Sequence, residues 1–292
     1  MIKNILITGC NGQLGNEMQL QAKKPENSAY NYFFTDVEEL DITDEKAVNA
    51  FVEDNAIDCI VNCAAYTNVD KSESNAELAR LLNSVAPGYL AAAVGKRGGL
   101  MVQISTDYVF DGTNHLPYRE DEPTKPIGVY GVTKLDGEKA VSGLLEKYYI
   151  VRIAWVFGRN GKNFIRTMLK VGKTHDTVRV VNDQIGTPTY TLDLARLVAD
   201  MAETDRYGYY HVTNEGGYIS WYDFTCEIFR QAGYTTKVVP VTTAEYGLSK
   251  AARPFNSRLD RSKIAENGFK PLPDWKDALR RYLSELKKDG EY

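Results

Sequence analysis

The residues of this chain best suited to chemistry are Tyr130 and Lys134, which lie four positions apart. On an α-helix this spacing places both side chains on one face, one turn apart. A tyrosine has an ordinary pKa of about 10, and a cation within about 4–6 Å favours the phenolate and lowers that pKa. The pair is therefore suited to acid–base chemistry, although tyrosine and lysine at this spacing are also common on solvated helix faces.

A short apolar run over residues 4–8 leads directly into a glycine-rich turn and then into an expected helix over residues 16–22. The turn has the spacing G-x-x-G-x-x-G rather than the commoner G-x-G-x-x-G. Glycines let the backbone approach a ligand closely, and a helix N-terminus favours a pyrophosphate. A second apolar run ends in Asp36, where a carboxylate can accept hydrogen bonds from ribose hydroxyls. These features predict a dinucleotide site; the alternative is a tight turn chosen for sterics, with a surface carboxylate.

Length and composition restrict the class of protein. The 292 residues carry a formal net charge of −4 without a basic run, which argues against nucleic acid or an anionic membrane surface as the main partner. No apolar stretch approaches the roughly 20 residues of a membrane span, and the sequence enters a strand at once, so we expect no signal peptide. Four cysteines without a C-x-x-C pair favour a reduced, cytoplasmic protein. The three histidines show no metal-ligand spacing, so no metal is predicted.

Strand-like and helix-like segments alternate over the first 160 residues. This rhythm predicts an α/β fold, a Rossmann-type doubly wound parallel sheet that binds ligands beyond the carboxyl ends of its strands. After about residue 160 the rhythm changes, and a capping box at Ser220 and Asp223 predicts a helix start. We therefore expect an NAD(P)-binding domain over residues 1–160, to which later segments return, and a smaller α+β substrate-binding lobe mainly over residues 161–292. The boundary between them is soft.

Four segments with chemically useful side chains follow predicted strand ends. The first, residues 63–67, has small side chains that suit a flat cofactor or ordinary helix–sheet packing. The second, residues 105–112, begins with the hydroxyls of Ser105 and Thr106, which suit a substrate oxygen or a plain Ser/Thr turn. The third is the helix of Tyr130 and Lys134, and the fourth, residues 154–158, brings Trp155 as a stacking surface or a core residue.

The chain resembles the short-chain dehydrogenase/reductase superfamily in its glycine turn, its strand-end hydroxyls and its Tyr130–Lys134 pair, which follow one another in this order. Its length and its later lobe resemble the extended branch of that superfamily. Five segments spread over about 190 residues narrow the resemblance to the dTDP-4-dehydrorhamnose reductases: residues 69–73, 105–112, 129–135, 182–189 and 253–259. That resemblance implies reduction of the 4-keto group of dTDP-6-deoxy-L-lyxo-4-hexulose to give dTDP-L-rhamnose.

The resemblance also implies a role for each matching residue. Tyr130 would protonate the substrate oxygen after hydride transfer, Lys134 would lower the pKa of Tyr130 and hold the nicotinamide ribose, and Thr106 would orient the oxygen. Cofactor contacts are implied, besides Tyr130 and Lys134, for Gly9, Asn11, Gly12, Gln13, Leu14, Gly15, Asp36, Asp41, Ile42, Ala64, Ala65 and Tyr66. Substrate contacts are implied for Val69, Thr106, Asp107, Tyr108, Trp155 and Arg258.

Some expectations stay open between alternatives. A carboxylate at Asp36 would repel a 2′-phosphate and favours NADH, although the family uses both NADH and NADPH. Some family members bind Mg²⁺ through glutamates at a dimer interface; Glu17 matches one such position but Leu192 replaces another, so both Mg²⁺ and that mode of homodimer are doubtful. Rival interpretations are a nucleotide-sugar epimerase or dehydratase of the same branch, and a regulatory subunit resembling the β-subunit of methionine adenosyltransferase.

Overall fold

The structure, a computed structural model, describes residues 2–247 and 251–292. Its strands are β1 (Asn4–Thr8), β2 (Asn31–Thr35), β3 (Cys59–Asn62), β4 (Leu100–Thr106), β5 (Tyr148–Ile153), β6 (Val156–Phe157), β7 (Thr177–Val181), β8 (Ile185–Gly186), β9 (Thr189–Tyr190), β10 (Gly208–His211), β11 (Ile219–Ser220) and β12 (Lys237–Val241).

Its α-helices are α1 (Gln13–Ala22), α2 (Glu45–Asp54), α3 (Val69–Ser72), α4 (Ala76–Arg80), α5 (Ala86–Gly95), α6 (Val129–Leu144), α7 (Phe164–Thr174), α8 (Thr191–Ala202), α9 (Trp221–Ala232), α10 (Thr243–Tyr246), α11 (Ser262–Glu266) and α12 (Trp275–Lys288). Short 3-10 turns cover Pro25–Asn27 and Asp107–Val109, and a π-helical turn over Leu81–Val85 joins α4 to α5.

The centre of the molecule is a six-stranded parallel sheet with the order β10-β5-β4-β3-β1-β2. The strand order reverses at β1, since β2 lies on one side of it and β3 on the other. In open α/β sheets a ligand binds at such a switch point, outside the carboxyl ends of the strands. The doubly wound parallel sheet predicted from the sequence is confirmed.

Helices cover both faces of this sheet, which explains why all four residues of β3 are buried and the first three are apolar. On one face α1 and α8 contribute Met18 and Val198 to a single buried cluster with the strands. On the other face α2, α5 and α6 contribute Val48, Leu90 and Val141. The sheet edge that carries the chemistry therefore stands on a rigid, fully covered scaffold.

The later part of the chain builds a second core from α7, α9 and α12, with the parallel pair β7 and β12. The predicted capping box is present: the Ser220 hydroxyl accepts from the Asp223 amide at 3.0 Å, and the Asp223 carboxylate accepts from the Ser220 amide at 2.9 Å. This core corresponds to the smaller α+β lobe expected from the sequence.

One strand from the later part of the chain belongs to the central sheet. The run near residues 209–212 forms β10, which pairs in parallel with β5, with Tyr210 opposite Val151. The preceding helix α8 packs on α1. Periodicity along the sequence carries no information about which sheet receives such a strand. Residues 1–160 consequently hold five of the six strands of the central sheet.

Candidate active site

The carboxyl ends of β1, β3, β4 and β5 open onto a cleft of about 1290 Å³. Its volume exceeds the roughly 300–1,000 Å³ of a pocket for one small molecule, so it has room for two ligands side by side. Of the predicted site residues, those that line it are Gly9, Gly12, Gln13, Leu14, Asp36, Asp41, Ile42, Ala64, Ala65, Val69, Thr106, Asp107, Tyr108, Tyr130, Lys134 and Trp155. Four of the predicted residues lie outside the lining: Asn11, Gly15, Tyr66 and Arg258.

The glycine turn between β1 and α1 is shaped for close approach. Gly9 has a φ of +62°, and a Cβ there would lie 2.7 Å from the Ala64 amide nitrogen. A Cβ at Gly15 would collide with the carbonyl oxygen of Gly9. Gly12 forms the N-cap of α1 without a capping side chain, so the first amides of the helix remain for an anion. These residues fit the pyrophosphate of a dinucleotide.

Asp36, at the end of β2, is fixed beside this turn. Its Oδ2 accepts a 3.1 Å hydrogen bond from the Asn11 amide and its Oδ1 a 2.9 Å bond from the Val37 amide. Glu39 adds a second carboxylate, which accepts from the Asp36 amide at 2.8 Å. The Asp36 carboxylate lines the cleft, where it can accept hydrogen bonds from hydroxyl groups.

Lys134 lies on α6 with only 4% of its surface exposed. Its Nζ donates a 2.6 Å hydrogen bond to the carbonyl of Ile104 on β4. Burial lowers the pKa of the Lys134 ammonium to about 8, while the Glu138 carboxylate opposes that shift. Lys134 is therefore a buried cation that titrates near the physiological range.

The expected lowering of the Tyr130 pKa by Lys134 is not the dominant effect in this structure. Burial of the phenol raises the pKa of Tyr130 above its ordinary value, the negative charge of Asp107 raises it further, and a hydrogen bond with Thr106 opposes both. The expected lowering of the pKa followed from the nearby cation alone, whereas burial also removes water from around the ring. The phenol therefore stays protonated at neutral pH, the state that a proton donor needs.

The two hydroxyls at the end of β4 have different surroundings. Ser105 lines the cleft, and its Oγ donates a 2.5 Å hydrogen bond to Glu138 Oε1. Thr106 Oγ1 donates to Asp107 Oδ1 at 2.9 Å and accepts from the Tyr108 amide at 3.2 Å. Both hydroxyls lie in the motif that carries the family resemblance, and that resemblance implies the orienting role for Thr106. In the structure the Thr106 side chain forms a hydrogen bond with Tyr130.

The cleft wall carries the cation of Arg253, which was not selected from the sequence. Arg253 lines the cleft, donates from Nη1 to Tyr108 Oη at 3.2 Å and pairs with Asp70 at 3.0 Å. Arg258, the predicted residue, lies outside the lining, and its Nε donates to Asn256 Oδ1 at 2.7 Å. Both arginines belong to the segment 253–259, and Arg258 as a substrate contact stays a prediction.

Trp155 has an unusual backbone for a bulky residue, with a φ of +49°. Its ring stacks on Trp221 with centroids 3.7 Å apart. On the other side a Cβ at Gly186 would lie 2.8 Å from the Trp155 ring. The ring is thus held between α9 and β8 and forms part of the cleft wall.

The π-helical turn Leu81–Val85 presents Asn83, which the sequence argument did not single out. Asn83 Oδ1 accepts from the Tyr66 amide at 2.8 Å, and its Nδ2 donates to the Tyr66 carbonyl at 3.1 Å and to Thr133 Oγ1 at 3.2 Å. One side chain therefore ties the loop after β3 to the helix of Tyr130 and Lys134. The backbone of Tyr66 is thereby linked to α6, the helix that borders the cleft.

Glu17 on α1 is 2% exposed, and burial together with the nearby Glu285 carboxylate raises its pKa to about 7. Leu192 packs at the edge of the lobe core. Within the described residues, no group of three or more His, Cys, Asp or Glu side chains is arranged to hold a metal ion.

Comparison with known proteins decides the family. The sequence profile of the family described as the RmlD substrate binding domain matches residues 3–288, which is almost the whole chain. This chain belongs to that family. The resemblance predicted from the five segments is confirmed.

Several relatives of this chain are named dTDP-4-dehydrorhamnose reductase. The dTDP-4-dehydrorhamnose reductase of Streptomyces griseus is 42% identical, over 96% of this chain and 93% of that protein. The crystal structure of a dTDP-4-dehydrorhamnose reductase from Clostridium acetobutylicum superposes with a TM-score of 0.93 at 46% identity, covering 97% of this chain and 99% of its own. That from Bacillus anthracis, in complex with NADP, gives 0.92 at 40% identity, with 98% and 100% coverage.

Over the described residues, no helix is both long and apolar enough to cross a membrane. The four cysteines are all unpaired thiols, and burial raises the pKa of Cys63, in the cleft wall, to about 12.

Proposed function

We propose that this RmlD family member is an NAD(P)H-dependent oxidoreductase that reduces the 4-keto group of dTDP-6-deoxy-L-lyxo-4-hexulose (dTDP-4-dehydrorhamnose) to give dTDP-L-rhamnose. The observation that carries the proposal is the single cleft that joins a dinucleotide-binding glycine turn to Thr106, Tyr130 and Lys134. Relatives of about 40% identity over nearly the full length bear the name of this activity.

Bound NAD(P)H supplies a hydride to the C4 carbonyl carbon. Tyr130 gives its phenolic proton to the carbonyl oxygen as negative charge develops there. Lys134 holds the nicotinamide ribose and places a positive charge near the phenol. Thr106 donates to the same oxygen and orients it.

For the cofactor, Gly9, Gly12 and the first amides of α1 would hold the pyrophosphate, and Asp36 the adenosine ribose. Because Asp36 and Glu39 are both carboxylates, the chain is expected to prefer NADH over NADPH. Measurement of kcat/KM for the two cofactors at a saturating sugar concentration tests this preference, and a tenfold or greater preference for NADPH would contradict it.

For the substrate, Val69, Asp107, Tyr108 and Trp155 remain the proposed contacts. Arg253 replaces Arg258 as the proposed partner of the diphosphate, because a guanidinium in the cleft wall can give a bidentate contact to phosphate oxygens. The lobe formed mainly by residues 161–292 is proposed to border the substrate and contributes Arg253, while the other proposed contacts come from residues 1–160. Helix α8 and strand β10 belong to the cofactor half. A cytoplasmic location, a homodimer and the absence of a nucleic acid partner belong to the same proposal.

The direct test is to supply the dTDP-4-keto sugar with NADH and follow the loss of absorbance in the nicotinamide band. Wild-type protein should consume cofactor in proportion to sugar, and Tyr130→Phe should lose most of the rate while retaining cofactor binding. A Tyr130→Phe variant that is folded, binds cofactor and turns over at the wild-type rate would show that the proton donor is wrongly assigned.

The same experiment separates the two rivals. An epimerase or dehydratase would retain its cofactor tightly and release no oxidised product. A regulatory subunit resembling the methionine adenosyltransferase β-subunit would bind a synthetase partner in stoichiometric amount and show no reductase turnover.

A further inference from the structure

A buried ion pair lies directly beneath the reactive edge of the sheet. Glu138 on α6 and Arg152 on β5 are 1% and 3% exposed, and their atoms Oε2 and Nη2 are 2.7 Å apart. A second bond joins Arg152 Nε to Glu138 Oε1 at 2.9 Å. An isolated buried ion pair contributes little net stability, because the loss of hydration offsets the attraction between the charges. The pair therefore calls for a role other than holding the fold together.

Glu138 contacts the catalytic elements on two sides. It follows Lys134 by one helical turn and Tyr130 by two, on the same face of α6. Its Oε1 also accepts the 2.5 Å hydrogen bond from Ser105 Oγ. Ser105 lies between Ile104, whose carbonyl accepts from Lys134 Nζ, and Thr106, which enters the cleft. One carboxylate thus fastens the end of β4 to the helix that carries the proton donor.

Titratable groups from several parts of the structure surround this carboxylate. Glu138 and the Cys63 thiol, beyond β3, interact with Lys134, and Tyr209 on β10 interacts with Glu138. Arg152 also contacts His211 Nε2 at 3.4 Å and the Glu120 carbonyl at 3.3 Å. Burial and Arg152 lower the pKa of His211 to about 3, so His211 stays neutral at physiological pH. The Cys63 thiol also stays neutral, because burial raises its pKa to about 12. Of the two groups that interact with Lys134, Glu138 is therefore the one that carries negative charge at physiological pH.

We propose that Glu138 is a positioning residue, which holds Ser105 and the end of β4 against α6 and keeps Lys134 in its charged form. This role rests on the proposed function, because Lys134 matters only in a site that binds the nicotinamide ribose. Glu138 itself touches neither substrate nor cofactor in this arrangement; it acts through Lys134 and Thr106.

The test is the pH dependence of NADH binding, measured by nucleotide fluorescence without sugar, for Glu138→Gln and Ser105→Ala. Removal of the carboxylate charge should move the alkaline midpoint of NADH binding to lower pH by about one unit or more. Ser105→Ala keeps the charge, so its midpoint should stay at the wild-type value while kcat for sugar reduction falls several-fold. A common shift in both variants, or no shift in either, would overturn the proposal.

Glu138→Gln leaves Arg152 buried without a counter-charge, and this variant can fail to fold. Glu138→Asp then carries the test, because it retains the charge on a shorter stem. Its midpoint should stay within a few tenths of a pH unit of wild type while kcat falls, and a shifted midpoint or an unchanged kcat would contradict the role. Since NADH binding is measured without sugar, failure of the wild-type protein to reduce the dTDP-sugar would reject the proposed function and leave this test intact.

Discussion

The Nζ of Lys134 donates a 2.6 Å hydrogen bond to the backbone carbonyl of Ile104. Ile104 lies two residues before Thr106, so this bond fastens α6 to the end of β4 where the substrate oxygen would be held. A buried ammonium needs such an acceptor, and here the acceptor belongs to the strand that carries Thr106. Lys134 therefore ties the helix of the proposed proton donor, Tyr130, to the strand of the proposed orienting hydroxyl.

Lys134→Met should abolish most of the activity without lowering stability. The folded protein lowers the pKa of Lys134 from 10.5 to about 8, so below pH 8 the buried ammonium destabilises the fold, and this penalty disappears as pH rises from 8 towards 10.5. The variant should therefore unfold at the wild-type temperature or above it at pH 7, with an advantage that shrinks by pH 10. Its kcat should fall about 100-fold or more.

Lys139→Met is the matched control for this prediction, since Lys139 lies on the same helix but is exposed. It should change neither the melting temperature nor kcat appreciably. A large loss of thermal stability in Lys134→Met alone would contradict the sign of the effect.

Asp107→Asn should raise stability near neutral pH. Burial raises the pKa of Asp107 from 3.8 to about 6, so the charged carboxylate destabilises the fold above pH 6, and protonation relieves this penalty as pH falls from 6 towards 3.8. The melting temperature of the neutral variant should exceed that of wild type at pH 8, and the difference should vanish near pH 4.

Asp111→Asn provides the opposite case a few residues away. Hydrogen bonds from Thr113 lower the pKa of Asp111, so its carboxylate stabilises the fold above its unfolded pKa and that contribution is lost in acid. This variant should be less stable than wild type at pH 8 and equal to it in strong acid. Changes in melting temperature of the same sign in both variants at pH 8 would contradict the conclusion that burial raises the pKa of Asp107.

Gly186→Ala should weaken sugar binding and leave the cofactor in place. The new methyl group would lie 2.8 Å from the Trp155 ring, which must then turn against Trp221 or into the cleft. We expect KM for the dTDP-sugar to rise several-fold, the tryptophan fluorescence to change, and the affinity for NADH to stay constant. Gly143→Ala, where a Cβ meets open space, is the control and should alter none of the three.

Arg253→Gln and Arg258→Gln distinguish the two candidates for the diphosphate. The loss of a charged hydrogen bond to phosphate costs about 1.5–3 kcal/mol, so KM for the sugar should rise about tenfold or more for Arg253→Gln. Arg258→Gln should change KM little, because its side chain faces Asn256. The reverse order of the two KM values would restore Arg258 as the phosphate contact.

The sequence predicted the secondary structure well where the apolar pattern and the residues that begin or end an element indicated the same boundary. The first strand and the capping box at Ser220 were predicted at their observed positions. Helix α1 begins three residues earlier than expected, at Gln13, because Gly12 acts as its N-cap. Strand β4 also runs on through Thr106, so the reactive hydroxyls belong to the strand itself.

The cleft was harder to predict than the elements around it. The motifs identified Thr106, Tyr130 and Lys134, and all three line the cleft. The roles of Arg253, Asn83 and Glu138 depend on contacts across 183, 17 and 33 residues of sequence, which spacing along the chain does not encode. The expected fall in the pKa of Tyr130 has the same origin. The i, i+4 spacing indicates the neighbouring Lys134 cation but not the surrounding residues that bury the phenol.

The pairing of β10 with β5 has a consequence for synthesis of the protein. Strand β5 is complete at Ile153, but its partner begins at Gly208, roughly 50 residues later, which takes some seconds at about 5–20 residues per second. During that interval the emerging chain carries an unpaired, apolar sheet edge of the kind that recruits other strands. A nascent chain stalled before residue 208 is therefore expected to be a substrate for chaperones, and a gene fragment that ends near residue 160 is expected to aggregate.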